Sequence, residues 1–340
     1  MALSSYIRRA SALIAAPVAL IMLGAPAAVA APAPAAPAAS QPHGTVSGPT
    51  HYPAPAYNDP AGHTCPFAIH VSFPVNQTKV YTYRNGQGDV VAYMYVGALY
   101  AKVTRRSTGV SRTVDLSGSG VQKLHWDGSS DFYGFGPFSV SLHPGDRPHP
   151  GLMILDGVSL VKLLANGHKQ IIYTSRAYDL CDRLATPSVV APPAPYSDGQ
   201  VSGPTNYPAP AFNDPAGHTC PFAIHVSFPV NKTKVYTYTD AQGRVASYIY
   251  VGALYAKVTR RSTGVSRTVD LSASGVQILH EDGSSDLYGF GPFASLLHPG
   301  DFPHREFAIL HGVSLEKFLA NGHKQIIYSS RVYDLCDRLR

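Results

Sequence analysis

Short alternations of apolar and polar residues, interrupted every few positions by Gly, Pro, Asn or Asp, run through most of the chain and predict strands joined by tight turns. Ile69–Val75 and Lys79–Tyr83 alternate in this way, and Asn85-Gly86-Gln87-Gly88 then turns the chain into Val90–Thr104. Asn first and Gly fourth suit a type I turn followed by a left-handed Gly, and Asp240-Ala241-Gln242-Gly243 keeps the same chemistry farther along. Such a loop pairs Tyr81 with Tyr93 across the strands and, with a period of two, puts Tyr83 and Tyr95 on the same face, leaving Val80, Val90, Met94 and Val96 for the other. Arg105–Gly109 predicts a second hairpin tip leading into Ser111–Leu116, and Asp127–Ser130 predicts a third. Ser159–Ala165 fits a short helix capped by Ser159 and stopped at Asn166-Gly167, or a strand entering an Asn-Gly hairpin toward Ile171–Tyr173; the hairpin is the better fit. The whole predicts an all-β fold of roughly six to nine strands per domain, a β-sandwich or a β-barrel.

The pattern is written twice. Val46–Leu184 aligns with Val201–Leu339, most positions identical, at the 155-residue spacing that separates Cys65 from Cys220. Such a period is far longer than a solenoid repeat and marks two copies of one domain. Copy one is expected over 46–184 and copy two over 201–340, with an Ala/Pro-rich tract over 31–45 and a Pro-rich linker over 185–200. Each copy opens with a Pro-rich arm, Gly48–Pro60 or Gly203–Pro215, whose prolines lack the donors a central strand needs; the arms are expected over the domain, not inside it. Residues 1–30 read as a secretory signal. Arg8 and Arg9 precede an apolar stretch, Pro17 and Gly24 interrupt it, and Ala28-Val29-Ala30 offers a cleavage site.

Composition narrows the class further. Charged residues make up 14% of the 340 positions, well below the ~25% of an average soluble chain, which excludes a coiled coil. After the signal, no apolar run is long enough to span a bilayer. The formal charge of +6 falls to +4 once Arg8 and Arg9 leave with the signal, too dispersed an excess for a nucleic-acid binder. Four cysteines allow three pairings. The repeat and an oxidising compartment select Cys65–Cys181 and Cys220–Cys336, each tying the start of a copy to its end.

Cys65-Pro66-Phe67, Gly97-x-Leu99, Thr108-Gly109-x-Ser111, Ser117-Gly118, Asp127-Gly128, Gly136-Pro137 and the final Cys181 together resemble a family of small secreted domains common in actinobacteria such as Streptomyces. The resemblance covers each copy almost whole and implies an all-β fold closed by one terminal disulfide, and export. Its motifs are turns and core positions, so it implies no activity. The tandem duplication departs from the family's single domain.

Candidate chemistry is sparse. Copy one has no Glu between Val46 and Leu184, and copy two has only Glu281, Glu306 and Glu316, so a carboxylate pair common to both would need aspartates. Neither G-x-S-x-G nor H-E-x-x-H occurs. His143-Pro144-Gly145-Asp146-x-Pro148-His149 recurs as His298–His304 and places two imidazoles and a carboxylate in one loop, a zinc-like set in principle. Pro and Gly at those spacings equally mark a surface turn, and neither metal nor cofactor is expected. Tyr81, Tyr83, Tyr93 and Tyr95, with Tyr236, Tyr238, Tyr248 and Tyr250, form the candidate binding stripe, because flat apolar rings with hydroxyls suit sugars, peptides or a protein surface. The competing reading is a second packing layer of the sandwich. Lys102, Arg105, Arg106 and Arg112, repeated as Lys257, Arg260, Arg261 and Arg267, form a basic hairpin suited to anionic wall polymer or to keeping a strand edge soluble. Trp126 becomes Glu281 in copy two and cannot be a platform needed twice. The expectation is a non-enzymatic, secreted or surface-associated binding protein with an unknown extracellular or cell-wall partner and two similar sites on a stiff linker. The alternatives are a hydrolase using Asp146 and His143, and a structural surface protein without a discrete ligand.

Overall fold

The computed structural model describes residues 44–185 and 199–340. The signal, nearly all of the Ala/Pro tract and most of the linker lie outside the described residues. Copy one contains β1 (Thr45–His51), β2 (Tyr57–Asp59), β3 (Ile69–Asn76), β4 (Lys79–Arg84), β5 (Val90–Val96), β6 (Leu99–Arg105), β7 (Ser111–Asp115), β8 (Ser119–Leu124), β9 (Ser130–Phe135), β10 (Phe138–Leu142), β11 (Gly151–Leu163) and β12 (Lys169–Asp179), then helix α1 (Leu180–Ala185). Copy two repeats these strands in order. The twelve strands per copy exceed the expected number because runs that read as one strand break at corners. Val90–Thr104, for instance, becomes β5 and β6 at Gly97, whose φ of +124° and close approach to the Gln77 carbonyl admit no side chain.

All pairings between these strands are antiparallel. A small sheet runs β2-β3-β6-β7, and a large one runs β1-β4-β5-β8-β9-β11-β10, with β12 on the other edge of β11. The chain switches sheet at each corner between β3 and β4, β5 and β6, and β7 and β8, which layers the two sheets over one core. That core holds Ile69, Val71, Leu99 and Val103 from the small sheet and Phe132, Phe138, Leu155 and Val161 from the large one. The Asn-Gly hairpin joins β11 to β12, as the favoured reading required. The Pro-rich arm does not merely lie over the domain. It supplies the edge strand of each sheet, β1 and β2, and buries Tyr52 between them; edges are where a strand tolerates proline. Cys65–Cys181 and Cys220–Cys336 are bonded as expected, with Cα separations of 5.4 and 5.5 Å.

The tyrosine register needs correction. The loop closes as expected, with Asn85 N–H donating to the Asp89 carbonyl at 2.9 Å and Gly88 at φ +87°. One step along the ladder a bulge inserts an extra residue on β5, so Tyr81 faces Met94 and Tyr83 faces Ala92, while Tyr93 pairs with Thr82 and Tyr95 with Val80. A shift of one residue sends side chains to opposite faces. Tyr81 and Tyr83 therefore leave one face of the sheet, and Tyr93 and Tyr95 the other. Copy two has the same bulge, splitting Tyr236 and Tyr238 from Tyr248 and Tyr250.

The face carrying Tyr81 and Tyr83 packs against its counterpart in copy two. Tyr81, Tyr83, Met94, Val121, Tyr133 and Phe135 share one apolar core with Tyr238, Ile249, Val276, Tyr288, Phe290 and Val313. The contacts are reciprocal: Tyr81 meets Tyr328 at 5.6 Å between ring centroids, and Tyr173 meets Tyr236 at 5.7 Å. Phe135 meets Phe290, its own equivalent, at 5.6 Å, which places that pair on a pseudo-two-fold axis. The molecule is thus four layers deep, small sheet, large sheet, large sheet, small sheet, with an apolar core in each gap. This corrects the picture of two separately engaging modules on a stiff linker: the halves form one body.

Candidate functional site

Where the two large sheets meet, residues of both copies line an open groove of about 1030 Å³. The half-buried Tyr236 and the edges of the buried Tyr81, Phe135 and Phe290 give it aromatic borders, and Ser119, Ser175, Ser274 and Ser330 give it hydroxyls. The groove exists because the strands kink there on glycines. Gly157 bulges β11 at φ +87°, and the Ser175 hydroxyl holds the kink between the Val158 N–H and carbonyl at 3.2 and 3.3 Å. Gly312 and Ser330 repeat this across the axis. Lys79 and Arg176, both exposed, also line the groove. Arg176 pairs with Asp156 at 3.2 Å, and among the described residues Lys79 has no carboxylate partner. No carboxylate, imidazole or thiol is among the lining side chains.

Of the eight tyrosines in the candidate stripe, the structure brings only Tyr81 and Tyr236 to this groove. Tyr83 and Tyr238 are buried between the copies, and burial, with the nearby Asp286 carboxylate, raises the Tyr83 pKa. Tyr95 lies in the core of copy one, its hydroxyl donating to Gln122 at 3.0 Å, with Tyr93 packed beside it. Tyr250 makes the same bond to Gln277 at 3.0 Å, and burial pushes its pKa up to about 12; Tyr248 is half-buried next to it in sequence register. Tyr83, Tyr93, Tyr95 and Tyr238 thus pack in the two cores, while Tyr248 and Tyr250 are half-buried and Tyr250 borders an open space in copy two.

The histidine loop does not converge as a three-ligand set. His149 turns to the Pro150 carbonyl at 2.9 Å. Both Asp146 oxygens are engaged, accepting from the backbone N–H groups of His143 and Lys169 at 2.8 and 3.0 Å and from the His168 ring at 2.9 Å. Burial pushes the Asp146 carboxyl up, but these donors outweigh it and leave its pKa below the usual range. His143 instead stacks on His63 at 3.9 Å between centroids, and His63 bonds Asp59. Burial, then the Lys169 and His63 charges, lowers the His143 pKa. In copy two the equivalent Asp214, His218 and His298 bring ligand atoms within 4.8 Å of one another. There too the carboxylate is already taken by His218 and by the Thr219 N–H, so the cluster serves as a clasp between arm and loop. Asp127 plays the turn role expected of it, accepting from Ser129 N–H and hydroxyl at 2.9 and 2.6 Å, and Trp126 beside it is fully exposed. At the basic hairpin Arg105 lies over the Phe67 ring at 4.4 Å.

Comparison with protein-family models, with curated proteins and with solved structures finds no match. Among the described residues no helix is long and apolar enough to cross a membrane. Sequence reasoning missed the groove, because its walls come from strands of both copies and only their packing assembles it. It also missed His63 as the partner of His143, since stacking between distant loops leaves no mark in spacing.

Proposed function

We propose that the protein is a non-enzymatic binding protein working outside the cell, and that the groove on the pseudo-two-fold axis holds a segment of an acidic polysaccharide. The observation that carries this reading is the lining itself: aromatic rings and hydroxyls from both copies and two cations, with no carboxylate, imidazole or thiol beside the serines. Rings and hydroxyls suit the faces and edges of sugars. Lys79 and Arg176 favour a negatively charged chain, and an open groove accepts a polymer from which small ligands would escape. The signal-like residues 1–30 and the two disulfides support export.

Affinity electrophoresis of the full chain tests this. Polygalacturonate should retard it, less so as salt rises, while dextran should not. Replacing Lys79→Glu and Arg176→Glu, both exposed and harmless to the core, should weaken retardation at least ~10-fold. Equal retardation by dextran, no effect of the charge reversals, or binding confined to phosphatidylglycerol vesicles would overturn the reading.

A further inference from the structure

The interior of copy two differs from that of copy one. A cavity of about 450 Å³ lies between its two sheets. In copy one the same space is filled: the Phe132 ring packs 6.0 Å from Tyr95 and 5.1 Å from Phe138 between centroids, pressed so closely on Gly120 that an added Cβ there would meet it at 2.5 Å. Copy two has Leu287 at that place, which stands 3.7 Å from the same point over Gly275. Among the other exchanges around the space, Val161 to Glu316 and Val140 to Ser295 add polar groups, while Tyr57 to Phe212 and Ser141 to Leu296 remove them. Tyr95, Leu99 and Phe138 are buried, whereas their equivalents Tyr250, Leu254 and Phe293 border the space and are half-buried. Tyr207 is 37% exposed where Tyr52 is 6%, and it flanks the cavity on the side of the Pro-rich arm, giving a route to solvent.

The cavity walls are apolar, with Phe212, Phe228, Phe307 and Phe318 among them, and one end is polar. There Glu316, 2% exposed, accepts a hydrogen bond from the Ser295 hydroxyl, its one hydrogen bond among the described residues. Lys324 lines the same end and donates to the Leu296 carbonyl at 3.0 Å. Burial raises the Glu316 pKa to about 7 against the opposing pull of Ser295 and Lys324. A carboxyl in place of a core valine is a liability unless something meets it. A mostly apolar chamber of this size with one or two placed polar groups has the composition of a small-molecule site.

We propose that the interior of copy two is a binding chamber for a compact apolar molecule carrying a single hydroxyl, held by a hydrogen bond to Glu316. The head group follows from the charges already present. Glu316 and Lys324 carry opposite charges at the same end and already offset one another, so a charged ligand head of either sign meets a like charge beside its counter-charge. A neutral hydroxyl meets neither penalty and can donate to, or accept from, the carboxyl in either protonation state. This chamber lies on the other side of the large sheet from the core shared by the copies, touches the groove's lining only at Ser274, and does not depend on the groove's function.

Isothermal titration of the full chain with octan-1-ol, octylamine and octanoate tests the proposal. One octan-1-ol per chain is expected, bound at least ~10-fold more tightly than the amine or the acid. Glu316→Val should weaken the alcohol by a similar factor, and Leu287→Phe, which restores the copy-one residue, should abolish binding while near-ultraviolet circular dichroism stays native. If Leu287→Phe does not fold, Glu316→Val alone decides. No alcohol binding, two molecules per chain, the amine as the tightest ligand, or unchanged affinity in the folded variants would overturn it.

Discussion

Copy one and copy two share turns, bulges, most corner glycines and disulfide position, yet the space between the sheets is filled in one and open in the other. Several interior side chains differ, among them Phe132 against Leu287, Val161 against Glu316, Val140 against Ser295 and, in the opposite sense of size, Leu152 against Phe307 and Leu163 against Phe318. The lesson is that the frame of this fold is set by backbone punctuation and the disulfide, while the interior can change without disturbing the register. What lets copy two tolerate a void is its neighbour. Its large sheet is supported on the far face by the shared core around Tyr288, Phe290 and Val313, which does not involve the cavity.

That contrast can be broken most forcefully at the disulfides. Each closes a 116-residue separation, and removing either should cost on the order of 4 kcal/mol. The hollow copy has fewer contacts in reserve, so Cys220→Ala with Cys336→Ala should melt at lower urea than Cys65→Ala with Cys181→Ala. Coincident midpoints would mean that the filled interior of copy one adds nothing.

A smaller effect separates the copies by pH. Below about 4.5, the ordinary glutamate value, Glu316 is protonated in both folded and unfolded chains. Between there and about 7 only the folded chain keeps the proton, so stability falls as pH rises; above that both forms are ionised and the loss levels off. The loss amounts to about 3 kcal/mol, and Glu316→Val should remove it from urea titrations at pH 4.5 and 8. An identical pH dependence in wild type and variant would show that Glu316 is not buried as described.

The smallest changes are an exchange of residues between copies. Phe132→Leu should destabilise copy one by about 1–3 kcal/mol by opening a void. Leu287→Phe should stabilise copy two by about 0.5–2 kcal/mol by closing one. Shifts of the same sign in the two variants would dissolve the comparison.

Much of the frame is legible in the residues because turns are local. Asn85–Gly88, Asp127–Ser130 and Asn166-Gly167 each sit at the hairpin their chemistry demands, and the duplicated cysteines find each other within each copy. The bulge after Tyr83 is not legible, since no Gly or Pro marks it, and it reverses the facing of the tyrosines. A sheet apolar on both faces could have been noticed: β4 and β5 carry Tyr81, Tyr83, Ala92 and Met94 on one side and Val80, Tyr93 and Tyr95 on the other, the pattern of a layer covered twice. The chamber was visible in principle as Glu316 opposite Val161, but that exchange has meaning only once position 161 is known to point inward.

The ring of Phe135 resting on Phe290 has one more implication. A patch that recognises its own duplicate has no need of the peptide that joins the two, so half the chain, produced alone, should find a second half and settle as a homodimer. The tandem chain is then a concatenated pair, and joining the halves in one chain lets one differ from the other while the pairing is kept.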